Sequence, residues 1–135
     1  MELIDSSAWI EYFRATGSPA NVAVRELVRE RPHDIAVTEP VVMELLAGAG
    51  SERAFTEIDK LTSGLALLSV DALLDYRHAA VAYRAVRAGG GTVRKLLDCL
   101  IAAVAMRTGA VLLHRDRDFD VLARALPDLR VRSLV

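Results

Sequence analysis

Short apolar runs alternate with amphipathic stretches along the whole chain, and each run stops at a polar residue or a glycine. Glu2–Asp5 reads as a strand that meets an acid. Ser6–Arg14 reads as a helix with Ser6 at its N-cap, ended by Gly17-Ser18-Pro19. Val24, Leu27 and Val28 recur at helical spacing with Arg31 at the next position, which marks a helix over Ala20–Arg31. Ile35–Val37 is a second strand. Thr38 caps a helix that carries Pro40 in its first turn and stops near Gly48, and Ser51–Ser63 is a helix closed by Gly64. Leu65–Leu68 gives a third strand. Asp71 caps a long helix to about Ala88, where Gly89-Gly90-Gly91 ends it. Leu96–Thr108 is an apolar helix stopped by Gly109, Ala110–His114 a strand, Asp118–Leu126 a short helix before Pro127, and Arg130–Leu134 the last strand. Strands separated by helices require right-handed crossovers, hence a parallel sheet covered on both faces. The expected fold is a three-layer α/β domain with a central parallel sheet of about five short strands, one domain over residues 1–135.

Composition narrows the setting. With 53% hydrophobic and 26% charged residues the chain is not disordered. Its longest uninterrupted apolar run, Cys99–Met106, is far shorter than the roughly 20 residues of a membrane span. The Met-Glu start and an acid at Asp5 do not suit a signal peptide. A single cysteine fits a reducing cytoplasm, and one cysteine with three scattered histidines leaves no structural zinc site. The net charge of −1 conceals an asymmetry: residues 1–60 carry 11 acids against 6 bases, residues 61–135 carry 7 against 11. Between Asp75 and Asp98 there are five bases, Arg77, Arg84, Arg87, Arg94 and Lys95, and no acid. Such a stretch is either a phosphate-binding path or a solvated helix face.

The acids carry the candidate chemistry. Open parallel sheets bind ligands at the carboxyl ends of their strands. Asp5 follows the first strand, and His114-Arg115-Asp116-Arg117-Asp118 follows the fourth, so two acidic segments project from one sheet edge. Glu44 and Asp98 stand in apolar surroundings, Asp98 roughly 110° from the centre of its helix's apolar stripe, at the border of the buried face. Singly, Asp5 and Asp116 suit helix caps, Glu44 a surface acid and Asp98 a first-turn partner of the helix dipole. Together they imply more. Two carboxylates about 4 Å apart repel by about 4 kcal/mol at an effective dielectric of 20, so a cluster of four stays ionised only around a cation. All-oxygen ligands select a hard ion, Mg²⁺ or Mn²⁺, which activates water and neutralises phosphate oxygens.

The motifs Leu3-Ile4-Asp5-Ser6-Ser7-Ala8, Glu44-Leu45-Leu46-Ala47-Gly48, Asp98-Cys99-Leu100-Ile101-Ala102-Ala103-Val104-Ala105 and Leu113-His114-Arg115-Asp116-Arg117-Asp118-Phe119 occur in this order and span the chain. In these the sequence resembles the PIN-domain ribonucleases, more narrowly the VapC-type toxins of toxin–antitoxin pairs. The resemblance maps the family's acidic quartet onto Asp5, Glu44, Asp98 and Asp116, with Asp118 an accessory acid and Ser7 the hydroxyl residue beside the first acid. It implies an endoribonuclease in which Asp5, Asp98 and Asp116 hold Mg²⁺ or Mn²⁺ and Glu44 orients or deprotonates the attacking water. It also implies a homodimer and a VapB-type antitoxin that lies in an apolar groove and blocks the cleft. Separately, a 53% hydrophobic chain of 135 residues carries more apolar side chains than one small core hides, so some of Trp9, Ile10, Phe13, Val42, Met43 and Leu46 are expected at a two-fold contact between copies. Ser7, Arg94, Lys95 and His114 are the candidates on the RNA side. His114 departs from the family, which commonly has Thr or Ser there. It is read as a phosphate contact or as a filler of the strand end, the second being favoured.

Other signals weigh less. Gly89-Gly90-Gly91-Thr92 lacks the lysine of a phosphate loop and follows a helix instead of a strand. Ser6 and Ser7 lack the glycines of a nucleophile elbow. Cys99 reads as inert core, and Trp9, Tyr12 and Phe13 as packing. An inactive PIN-like module that binds RNA or protein is the main alternative. A phosphate-receiving signalling domain fits less well, because Asp71 and Lys95 stand in the wrong places for its acceptor and lysine.

Overall fold

The apolar segment Glu2–Ile4 becomes the central strand, β1, in a computed structural model that describes all of residues 1–135. The chain continues through α1 (Ser6–Phe13), α2 (Pro19–Glu30), β2 (Ile35–Val37), α3 (Glu39–Ala47), α4 (Glu52–Ser63) and β3 (Ala66–Leu67). It then runs through α5 (Asp75–Ala88), α6 (Leu96–Thr108), β4 (Val111–His114), α7 (Arg117–Ala125) and β5 (Val131–Ser133). The strands form one parallel sheet in the order β3-β2-β1-β4-β5, with Leu3 opposite Ala36 on one side and Leu112 on the other. The order therefore reverses between β1 and β4, and a crevice opens there at the carboxyl ends of the strands. The crossover helices cover the sheet on both faces and make the three-layer α/β arrangement expected from the sequence.

A cluster of 29 buried apolar residues joins the sheet to α1, α2, α6 and α7, with Trp9, Phe119, Leu112 and Leu113 among its largest members. Helix α6 is the most deeply placed: residues 98–105 are buried without interruption. Alanines at 102, 103 and 105 let α5 pack closely on it, so the helix has no solvent side over this stretch. The amphipathic stripe expected for it does not exist, and Asp98 is buried instead of lying at a border.

Several element ends differ from the sequence reading, each for a local reason. Asp5, not Ser6, caps α1: its Oδ2 accepts from the Ser7 N–H at 2.9 Å, and Ser6 becomes the first helical residue. Asp71 caps one separate turn by accepting from the Leu73 and Leu74 N–H groups, and α5 begins only at Asp75. Asp116 caps α7 through the Asp118 N–H, which starts that helix at Arg117. Trp9 is fully buried, stacked on Phe13 with ring centroids 5.7 Å apart, so it is core and not part of an apolar contact surface. Gly91 is wedged so closely against Val86 of α5 and Val121 of α7 that a Cβ there would lie 3.1 Å and 3.3 Å from their methyl groups. The triple glycine thus fixes the path of the loop into α6.

One ionic clamp ties α5 to α6. The Asp75 carboxylate has no exposed side-chain surface and is gripped by Arg107 of α6 at 2.9 Å. The same guanidinium donates to the Ser69 carbonyl at 2.7 Å. Replacing Arg107 by Ala leaves a buried carboxylate unpaired and should cost about 3 kcal/mol in urea unfolding. Lys at this position should recover only part of the loss, because it lacks the planar fork.

Candidate active site

Four carboxylates from four distant parts of the chain meet at the crevice between β1 and β4. Asp5 leaves the end of β1, Glu44 projects from α3, Asp98 from the first turn of α6, and Asp116 from the turn after β4. The Asp5 N–H donates to the Leu113 carbonyl at 2.9 Å, and the Arg115 N–H donates to Ser7 Oγ at 2.9 Å. These two bonds lock the loop after β4 to the start of α1. Ser7 is thereby a tie between the two strand ends. Ser6 Oγ donates to Glu44 Oε1 at 3.2 Å, which draws Glu44 toward the same corner.

The oxygens of Asp98, Asp116 and Asp118 lie within 4.8 Å of one another. Asp5 Oδ1 and Asp98 Oδ2 are buried and have no hydrogen-bond partner. Burial, and then the charges of Asp5 and Asp116 with a smaller contribution from Glu44, push the Asp98 pKa up to about 7, against a lowering by Lys95. Burial likewise raises Asp5, opposed by its bonds to Ser7. Unpartnered buried oxygens within a group of repelling carboxylates fit a hard divalent cation, and the all-oxygen donor set matches Mg²⁺ or Mn²⁺ chemistry.

The chain also brings its own cations to the cleft. Arg94 Nε donates to Asp118 Oδ2 at 3.0 Å, and its Nη2 donates to Asp116 Oδ1 at 3.1 Å. The Arg94 N–H reaches Asp118 Oδ2 as well, at 3.2 Å, so Asp118 anchors the loop before α6 with one oxygen. Lys95 Nζ stands 3.9 Å from Glu44 Oε2. Arg84 and Arg87 do not join them: both are exposed along α5, and Arg87 lies over the Tyr83 ring. Two arginines unremarked in the sequence do. Arg115 and Arg117 line, with Arg94, Asp116 and Asp118, a cavity of about 570 Å³. Their signal was local, since both directly flank Asp116.

His114 has no surface for a phosphate to touch, being fully buried at the end of β4. Its placement among the RNA-side residues is corrected: it fills the strand end. Burial holds the ring below the usual histidine range, against the raising effect of Asp120 and other nearby acids, so it is neutral at neutral pH. Cys99, next to Asp98, is buried and its thiol is pushed up to about 11, too high for a thiolate at neutral pH.

The PIN domain family model matches residues 3–125, nearly the whole chain. The chain belongs to the PIN domain family. Within that family it is 55% identical over 124 residues to the VapC ribonuclease Mb1587 of Mycobacterium bovis and to ribonuclease VapC11 of Mycobacterium tuberculosis, covering 92% of this chain and 92% of each relative. Among solved structures, the DNA-bound VapBC of Salmonella typhimurium superposes with a TM-score of 0.78 at 21% identity, over 99% of this chain and 98% of that one. The last likeness is one of fold. Asp5, Glu44, Asp98 and Asp116, the acids singled out in the sequence, are the ones gathered at the crevice.

The raised Asp98 pKa makes a stability prediction for the metal-free PIN domain. Between the ordinary carboxylate pKa of 3.8 and about 7 the folded state holds a proton that the unfolded chain has released. Folding stability from this group is therefore greatest below the lower value and declines as pH rises toward 7. Replacing Asp98 by Asn should remove that decline. Urea unfolding in EDTA should show the variant gaining on the natural protein steadily from about pH 4 to 7 and not above.

Proposed function

We propose that this cleft is the catalytic centre of a divalent-cation-dependent endoribonuclease, the toxin of a VapBC pair acting in the cytoplasm. The observation that carries the reading is the buried Asp98, one oxygen unpartnered, surrounded by Asp5, Glu44 and Asp116. Asp5, Asp98 and Asp116 would hold Mg²⁺ or Mn²⁺, with Asp118 beside them through the oxygen that Arg94 leaves free. When bound, the ion supplies positive charge for the phosphate and lowers the pKa of a water. Glu44, partly open and steadied by Ser6, is placed to orient that water and take its proton. Arg94, Lys95, Arg115 and Arg117 offset the repulsion between the acids and an RNA phosphate, and Arg94 passes from its carboxylates to the substrate. No helix is long and apolar enough to cross a membrane.

The partner reading rests on apolar surface. A groove of about 280 Å³, lined by Ile10, Phe13, Leu45 and Ile58, has Glu44 on its rim. An antitoxin segment lying in it reaches the acidic cleft directly, where an Arg can repeat the contacts Arg94 makes. The relatives solved as VapBC complexes support such a partner. Met43, Tyr76 and Leu96 leave apolar surface over α3, α5 and α6 for a two-fold contact between copies.

Purified protein should cleave RNA with Mn²⁺ or Mg²⁺ and stop on addition of EDTA. Asp98→Asn and Asp116→Asn should each reduce the rate at least about a hundredfold with the circular dichroism unchanged. RNA bound but uncut by the natural protein under all metals would leave the inactive binding module instead. Neutralising Arg94 and Lys95 should flatten the log–log salt dependence of RNA binding by about 0.7 per lost contact. Light scattering at micromolar concentration should return the mass of two chains.

A further inference from the structure

We infer that His114 is a positioning residue for the acidic cleft: its buried ring holds the backbone of Asp116 where the Asp116 carboxylate meets those of Asp98 and Asp118. The ring is inaccessible to substrate, yet both of its nitrogens face the segment that carries the acids. Nδ1 accepts from the Asp116 N–H at 3.1 Å. That N–H makes no other hydrogen bond, because the chain has left β4 and has not yet entered α7. An accepting Nδ1 carries no proton, so the proton of the neutral ring sits on Nε2. Nε2 stands 3.4 Å from Asp120 Oδ1 without forming a hydrogen bond to it, so Asp120 acts on the ring through its charge alone, and the other Asp120 oxygen accepts from Ser133 Oγ of β5 at 3.1 Å.

The ring is held from the remaining sides too. Phe119 of α7 lies against it with centroids 5.2 Å apart, and the His114 carbonyl accepts from Leu134 N–H at 2.8 Å. A leucine would fill the same volume and could not accept the Asp116 N–H. Asp116 in turn accepts from Asp118 N–H and from Arg94 through a single oxygen, Oδ1. A backbone shift at Asp116 therefore moves the whole acidic corner. Groups that orient a metal-binding side chain without touching the metal are typically worth about 10- to 100-fold in affinity.

This inference rests on the reading of the cleft as a divalent-cation site, and the test separates the two. Ring ¹⁵N spectra of the metal-free protein should show His114 Nδ1 as an unprotonated acceptor and Nε2 as N–H. Mn²⁺ affinity, measured by calorimetry, then distinguishes His114→Asn, whose amide oxygen stands near Nδ1, from His114→Gln, whose amide reaches only toward Asp120. The Asn variant should stay within about threefold of the natural protein, and the Gln variant should lose about tenfold or more, with the two unfolding at similar urea concentrations. If the Gln variant does not fold, Asp120→Ala serves in its place; it should weaken Mn²⁺ binding about threefold and mix the two ring tautomers. Equal affinities in the Asn and Gln variants, an affinity that follows stability alone, an unaltered Asp120→Ala protein, or a protonated Nδ1 would each overturn the role. A natural protein that binds no Mn²⁺ would remove the cleft reading and this inference together.

Discussion

Carboxylate repulsion is the constraint around which the rest of the molecule is arranged. Asp98 is driven into the interior by a helix with no solvent side, while Asp5 and Asp116 arrive from the two strands that flank the sheet's reversal. In low dielectric these charges oppose one another strongly, and the protein answers in three ways. A proton is retained at Asp98 to near neutrality. Backbone N–H groups at the starts of α1 and α7 accept part of the burden. The chain's own arginine bridges Asp116 and Asp118. Each is a substitute for positive charge, and each leaves oxygens unused.

The arrangement also explains why the site sits where elements end. An aspartate at an N-cap gives one oxygen to the helix and keeps the other. Asp5 and Asp116 both do this, so α1 and α7 help to fix their backbone positions before any ligand is considered. The loop carrying Arg94 is governed differently, by Gly91 packed between Val86 and Val121 and by the Arg94 N–H on Asp118. Rigid ends and an anchored loop bring groups separated by over 100 residues into one corner.

Much of this could be read in advance, and the failures have physical causes. Strand ends announced themselves as apolar runs meeting Asp5 and His114, and the order of helices and strands followed. The depth of Asp98 was hidden because alanines score as weakly apolar yet permit the closest helix packing. Ser6 and Asp5 are equally able caps, and only the position of the first helical residue chooses between them. Asp71 likewise marks a helical turn but not whether the turn continues. Arg115 and Arg117 were overlooked because a charge beside a motif looks like any surface charge until the cavity it lines is seen. His114 offered no pattern at all: its partners are a backbone N–H and Asp120, and neither can be inferred from spacing.

The division of labour within Asp5 and Asp116 has a consequence at the level of inheritance. An asparagine at either place keeps an oxygen for the helix start and turns its amide toward the neighbouring acids as a donor. Loss of a charge then need not mean loss of the folded chain. A gene silenced in this way continues to produce a well-formed protein with its apolar groove intact. Under the function proposed above, such a chain would go on occupying its partner while cutting nothing, so the damaged copy would draw protection away from any active copy in the same cell.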